Sequence, residues 1–259
     1  VNTVKARESV GIFANDLAGK AVVVSGGTSG IGLAIAEGFA AAGARVVATG
    51  SSRTKVENLS GARAASTLST GDLSFAILDV RNNAAIIAFF GGLTALDVLV
   101  NCQGIARPGD EWEEDAFLDV VDINLNSAMR LSRAAFPLLE RSCGTIINVA
   151  SMLSYLADES VPAYTASKTG IMGLTRAMAH RYGPAGVRVN AIAPGYHKTD
   201  MTRALWEHPP SAEKIAQRSA LKRWGLAEDL VGPTLFLASQ AAAFVTGITI
   251  PVDGGYHSG

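Results

Sequence analysis

Short, continuous apolar runs rich in β-branched residues alternate with helix-length segments along most of this chain, and that rhythm restricts its fold more than any other feature. The runs fall at residues 21–25, 45–49, 75–78, 98–100, 145–149, 187–192 and 248–252. Helical stretches such as 31–42, 84–91, 115–140, 163–182 and 228–239 lie between most of them. A strand that is apolar throughout needs cover on both faces, and a helix between successive strands returns the chain in the same direction. The pattern predicts an α/β architecture with a seven-stranded parallel sheet, helices on both faces and ligands at the carboxyl ends of the strands.

One doubly wound domain of Rossmann type accommodates this pattern within 259 residues. Residues 17–259 are assigned to it, and residues 1–16 to an N-terminal extension. Segment 196–226 breaks the alternation with Pro209-Pro210 and several charges, and reads as a small substrate lobe on the ligand edge. Twenty-two basic side chains balance 23 acidic ones, for a net charge of −1. That balance provides no field for nucleic acid or an anionic membrane. There is no 18-residue apolar run and no secretory h-region. The two cysteines, Cys102 and Cys143, form neither a disulfide framework nor a metal-binding pattern. A cytoplasmic, metal-free protein is expected.

The first strand runs directly into Gly26-Gly27-Thr28-Ser29-Gly30-Ile31-Gly32 and then a helix. Glycines at this spacing let backbone N–H groups approach a pyrophosphate at the helix N-terminus. An acid at the end of the second strand would hold the 2′-hydroxyl of NAD, but here the chain reads Ser51-Ser52-Arg53. Two hydroxyls and a guanidinium suit a 2′-phosphate, so NADP(H) is favoured, with NAD(H) kept open.

At the other end, Tyr164 and Lys168 stand four residues apart near the start of a helix that Pro162 opens, which stacks phenol and ammonium on one face. For a tyrosine to act as a base near neutrality its pKa must fall roughly 3 units, about what one ammonium about 4 Å away supplies. The pair is therefore expected to form a proton-transfer centre. Ser151 and Asn101 follow apolar strands on the same edge. Ala166, Gly170, Gly173 and Ala177 form a stripe of small residues on the Tyr164 helix, suited to close approach by another helix.

These motifs resemble, over roughly residues 17–256, the short-chain dehydrogenase/reductases. Ser25 to Gly32 is similar to the family's T-G-x-x-x-G-I-G, and Asn101-Cys102-Gln103-Gly104 to N-N-A-G, with Cys102 and Gln103 as departures. The resemblance implies that Asp79-Val80 contacts adenine, that Asn101 and Gly104 help bind the cofactor, and that Pro194, Gly195 and Thr199 contact the nicotinamide side. It further implies a catalytic set in which Ser151 orients the substrate oxygen and Tyr164 exchanges the proton. Lys168 lowers the Tyr164 pKa and binds ribose, while Asn124 holds a water of the proton relay. Tyr196-His197-Lys198 departs from the smaller residues usual in the nicotinamide loop.

Within the family, stretches 145–155, 161–179 and 223–256 look most like sugar-acid dehydrogenases of the 2-dehydro-3-deoxy-gluconate and gluconate 5-dehydrogenase types. This resemblance implies interconversion of a secondary alcohol and a ketone on a sugar acid. Arg107, His197, Lys198 and Arg203 are candidate cations for its carboxylate. The alternative is a 3-oxoacyl-carrier-protein reductase, against which stands the lack of a concentrated basic run. A homotetramer is the expected assembly.

Overall fold

A computed structural model of the chain describes residues 13–65 and 72–259. The expected N-terminal extension lies outside the described residues as far as residue 12. Helix α1 (Ala14–Leu17) leads into β1 (Ala21–Ser25), α2 (Gly30–Ala41), β2 (Arg45–Gly50), α3 (Arg53–Ala65) and β3 (Asp72–Ile77). Next come α4 (Asn83–Gly91), β4 (Val98–Asn101), α5 (Glu114–Val121), α6 (Ser127–Ser142) and β5 (Thr145–Val149). The chain closes with α7 (Pro162–Tyr182), β6 (Arg188–Pro194), α8 (Arg203–Trp206), α9 (Pro209–Arg218), α10 (Val231–Ala238) and β7 (Thr249–Val252).

All seven strands are parallel, in the order β3-β2-β1-β4-β5-β6-β7. Side chains alternate across a strand, so each continuous apolar run serves two cores. Val22 and Val24 pack with Val98, Val100, Ile35, Phe39 and Leu235 on one face. Val23 packs with Leu99, Ile146, Ile86, Leu131 and Leu139 on the other. The strand order reverses between β1 and β4, whose carboxyl ends meet at the pair Ser25–Asn101. A crevice forms there because the two connections leave to opposite sides.

Three local differences from the sequence expectation matter. Stretch 115–140 is not one helix: a π-helical turn, Asp122–Asn126, separates α5 from α6. The wider turn accommodates Asn124, whose amide is tied to the backbone of Ile105. Helix α3 has no counterpart among the helical stretches, since Val56 is its one buried residue among those described. Segment 196–226 carries two helices, α8 and α9. Its base is pinned by Lys198 N–H to Gly225 O (2.9 Å) and Gly225 N–H to Tyr196 O (2.9 Å). Among the described residues no helix is long and apolar enough to cross a membrane.

Candidate active site

A cleft of about 350 Å³ opens at the carboxyl ends of β1 and β4 and runs from the glycine turn to Tyr164 and Lys168. Gly26 has φ of +74°, and a Cβ there would lie 2.6 Å from the Gln103 backbone nitrogen. A Cβ on Gly32 would lie 2.2 Å from Gly26 O. Only glycine fits at both positions, so the turn lies flat against the β4 loop. Ser29 precedes α2 without capping it, which leaves the first-turn N–H groups with no side-chain acceptor. Free amides at a helix N-terminus, glycines that let the backbone close in, and the length of the cleft together fit a dinucleotide.

Gly26, Thr28, Ser29, Gly30, Ile31 and Gly32 line the cleft, as do Ser51, Ser52, Asp79, Val80 and Gly104. Pro194, Gly195 and Thr199 line the far end with Ser151, Tyr164 and Lys168. Arg53 does not line it. Its guanidinium is exposed and pairs with Glu57 at 3.6 Å, one helical turn on. Lys55, two residues later on α3, lines the cleft in its place and faces Asp200 of segment 196–226 electrostatically. Asn101 is also absent from the lining: its buried amide donates to Ser132 Oγ (3.1 Å) and Asn148 Oδ1 (2.8 Å), which ties β4 to α6 and β5. Arg81, missed in the sequence, lines the cleft and donates three hydrogen bonds to the Asp79 carboxylate. Those bonds hold Asp79 below the usual carboxylate range.

The reactive end is held on several sides. Ser151 begins a 3₁₀ turn, accepts the Leu153 N–H at 3.1 Å and lines the cleft beside Tyr164. Lys168 Nζ donates to Val149 O at 2.7 Å and lies 5.7 Å from the centre of the Tyr164 ring. Asn124 does not line the cleft; it accepts from Ile105 N–H (2.8 Å) and donates to Ile105 O (2.9 Å) and Ser167 Oγ (3.1 Å). The expected depression of the phenol by Lys168 is not what the geometry gives. Burial pushes Tyr164 above its ordinary value, and the neighbouring Ser151 hydroxyl offsets only part of this. The ammonium lies against the ring, and its own burial lowers it to about 8. Cys102, also in the cleft, is pushed up to about 11 by burial.

Of the four expected carboxylate-binding cations, only His197 lines the cleft. It is buried, its Nδ1 lies 3.1 Å from Gly195 O, and burial lowers its pKa. Arg107 pairs with Asp119 and Arg203 with Asp200, while the Lys198 ammonium lies 5.8 Å from the Trp206 ring centre. Thr202, which sequence reasoning did not single out, lines the cleft and donates to His197 O at 2.6 Å.

A family model described as enoyl-(acyl carrier protein) reductase matches residues 26–257. The 2-dehydro-3-deoxy-D-gluconate 5-dehydrogenase of Escherichia coli (strain K12) is 39% identical over 253 residues, covering 95% of this chain and 98% of that protein. A putative gluconate dehydrogenase from Agrobacterium tumefaciens superposes with a TM-score of 0.88 at 37% identity, covering 94% of this chain and 98% of that one. A gluconate 5-dehydrogenase from Burkholderia cenocepacia J2315, in complex with NADP and tartrate, gives 0.86 at 32% identity, with coverages of 93% and 96%.

Proposed function

Because the chain belongs to the short-chain dehydrogenase/reductase family, we propose that it is an NADP(H)-linked oxidoreductase interconverting a secondary alcohol of a sugar acid with its ketone. The observation that carries this reading is that Ser151 and Tyr164, with Lys168 against the Tyr164 ring, line one cleft with the glycine turn. Relatives named for gluconate and 2-dehydro-3-deoxy-gluconate supply the substrate class. The relative in complex with NADP supports the cofactor, as do the hydroxyls of Ser51 and Ser52 and the ammonium of Lys55 in the cleft wall.

In this reading the bound dinucleotide supplies or accepts hydride at its nicotinamide ring. Ser151 and Tyr164 grip the substrate oxygen between two hydroxyls. A phenol held above its ordinary pKa stays protonated at neutral pH and donates to a carbonyl oxygen as hydride arrives. Lys168 holds the Val149 carbonyl and backs the Tyr164 ring. Asn124 fixes Ile105 at the floor of the cleft. Gly26 to Gly32 would hold the pyrophosphate, and Pro194, Gly195 and Thr199 would border the nicotinamide.

Segment 196–226 serves as the substrate lobe. The exposed Phe117, Leu118 and Met129 on α5 and α6 support self-association, read here as a homotetramer. Two free thiols suit the reducing cytoplasm.

Initial rates on keto-sugar acids, polyols and 3-oxoacyl thioesters, each with NADPH and NADH, test this reading. Keto-sugar acids with NADPH are expected to give the highest kcat/KM. A higher value on the thioesters would overturn it in favour of acyl-chain reduction.

A further inference from the structure

The buried acid Glu111 has no part in the chemistry above. It sits in the loop between β4 and α5 with no exposed surface, and among the described residues no cation pairs with it. Both carboxylate oxygens accept backbone N–H groups instead: Oε1 from Arg107 at 2.8 Å and Oε2 from Tyr164 at 2.7 Å. Burying a carboxylate without a cation is costly, so the compensation must come from these two charged hydrogen bonds and from the positive end of α7.

Helix α7 lacks a cap of its own. Val161 precedes it with no side-chain bond, and Pro162 has no N–H to offer. Glu111 thus caps from 53 residues upstream. The same loop is fastened to the chain ahead of α7 twice more, by Gly109 N–H to Ser160 O (3.0 Å) and Trp112 Nε1 to Glu159 O (2.9 Å).

We propose that Glu111 is a positioning residue for proton transfer: it clamps the first turn of α7 to the β4–α5 loop and so sets where the Tyr164 hydroxyl meets Ser151 and the substrate oxygen. The proposal rests on the reading of Tyr164 as the proton donor. The titratable and charged groups that face Tyr164 are Lys168 on its own helix, Cys102 after β4, and Glu111. Among these, Cys102 and then Glu111 disfavour the phenolate, both less than burial does.

The test is Glu111→Gln. The amide puts an NH₂ group where one of the two accepting oxygens stood, so one N–H group loses its acceptor, and the charge is gone. The Tyr164 phenolate is read by near-ultraviolet absorbance as the difference between each protein and its Tyr164→Phe counterpart. The Tyr164 titration is expected to move lower in Glu111→Gln, the direction that removing one nearby charge gives. With it, kcat falls at least tenfold while the NADPH dissociation constant changes less than twofold. A titration that stays in place overturns the proposal whatever happens to kcat.

If Glu111→Gln yields no folded protein, Glu111→Asp keeps the charge but withdraws it by one methylene. The proposal then requires a tenfold loss of kcat at unchanged NADPH affinity, and a kcat within twofold of the parent refutes it. Failure of the functional reading itself looks different: the parent enzyme would reduce no carbonyl substrate, while the phenolate titration would still move on Glu111→Gln.

Discussion

Along the glycine turn the cleft wall is backbone, pressed so close to the β4 loop at Gly26, and to the turn's own Gly26 at Gly32, that no Cβ fits at either position. Around Tyr164 the wall is made of side chains, Ser151 and Lys168 among them, held from behind by Asn124 and Glu111 on two further segments. The first construction tolerates almost no change of residue type and asks little of distant parts of the chain. The second uses ordinary residue types whose value lies in where the fold brings them. Binding and chemistry are therefore expected to fail separately.

The largest expected effect is on the chemical side. Tyr164→Phe should lower turnover about 10³-fold, the scale of one general acid, while NADPH fluorescence titration gives a dissociation constant within twofold of the parent. Equal losses in binding and turnover would dissolve the contrast between the two walls.

Lys168 comes next, through its burial. Its pKa is about 8 in the folded chain against an ordinary 10.5, so between those values the unfolded chain carries the extra proton. Stability should therefore rise with pH across this window, and by the size of the shift it gains about 3 kcal/mol relative to Lys168→Met. Urea denaturation of both proteins at pH 7.5 and 10.5 measures it.

A methyl group on the backbone wall should cost somewhat less. Gly26→Ala forces a positive φ on alanine and a clash with the Gln103 backbone, for about 2 kcal/mol of stability. Its melting temperature should drop and its NADPH affinity with it, measured by thermal shift with and without cofactor.

The smallest effect sharpens the comparison at the 2′ end. Lys55→Ala should cut the NADPH-over-NADH preference about tenfold, roughly 1.4 kcal/mol, whereas Arg53→Ala should change it less than twofold. Parallel kcat/KM measurements with the two cofactors decide it.

The same contrast explains what could be read from the amino-acid order. Strands 21–25 and 145–149, the glycine turn and the Tyr164–Lys168 spacing were legible because each is local: an apolar run, a residue type without Cβ, one helical turn. Arg53 and Lys55 differ by two positions on a helix, and spacing alone does not say which one faces a cleft whose other wall comes from β1. The π turn was hidden because its cause is a contact between Asn124 and Ile105, 19 residues apart. Glu111 looked like one of several acids in a charged loop, and nothing near it in sequence mentions Tyr164. The phenol moved upward rather than downward because burial, a property of the whole fold, is the largest influence on it.

The reversal of strand order between β1 and β4 also bears on how the chain is made. During synthesis β2 and β3 can add to one side of β1 as they emerge, but its other edge has no partner until residues 98–101 arrive. For that interval the ribosome presents an unpaired edge with the sequence AVVVS, three consecutive valines able to pair with any other extended chain. The crevice that receives the ligands in the finished protein lies, in the growing one, at the end of that unpaired edge.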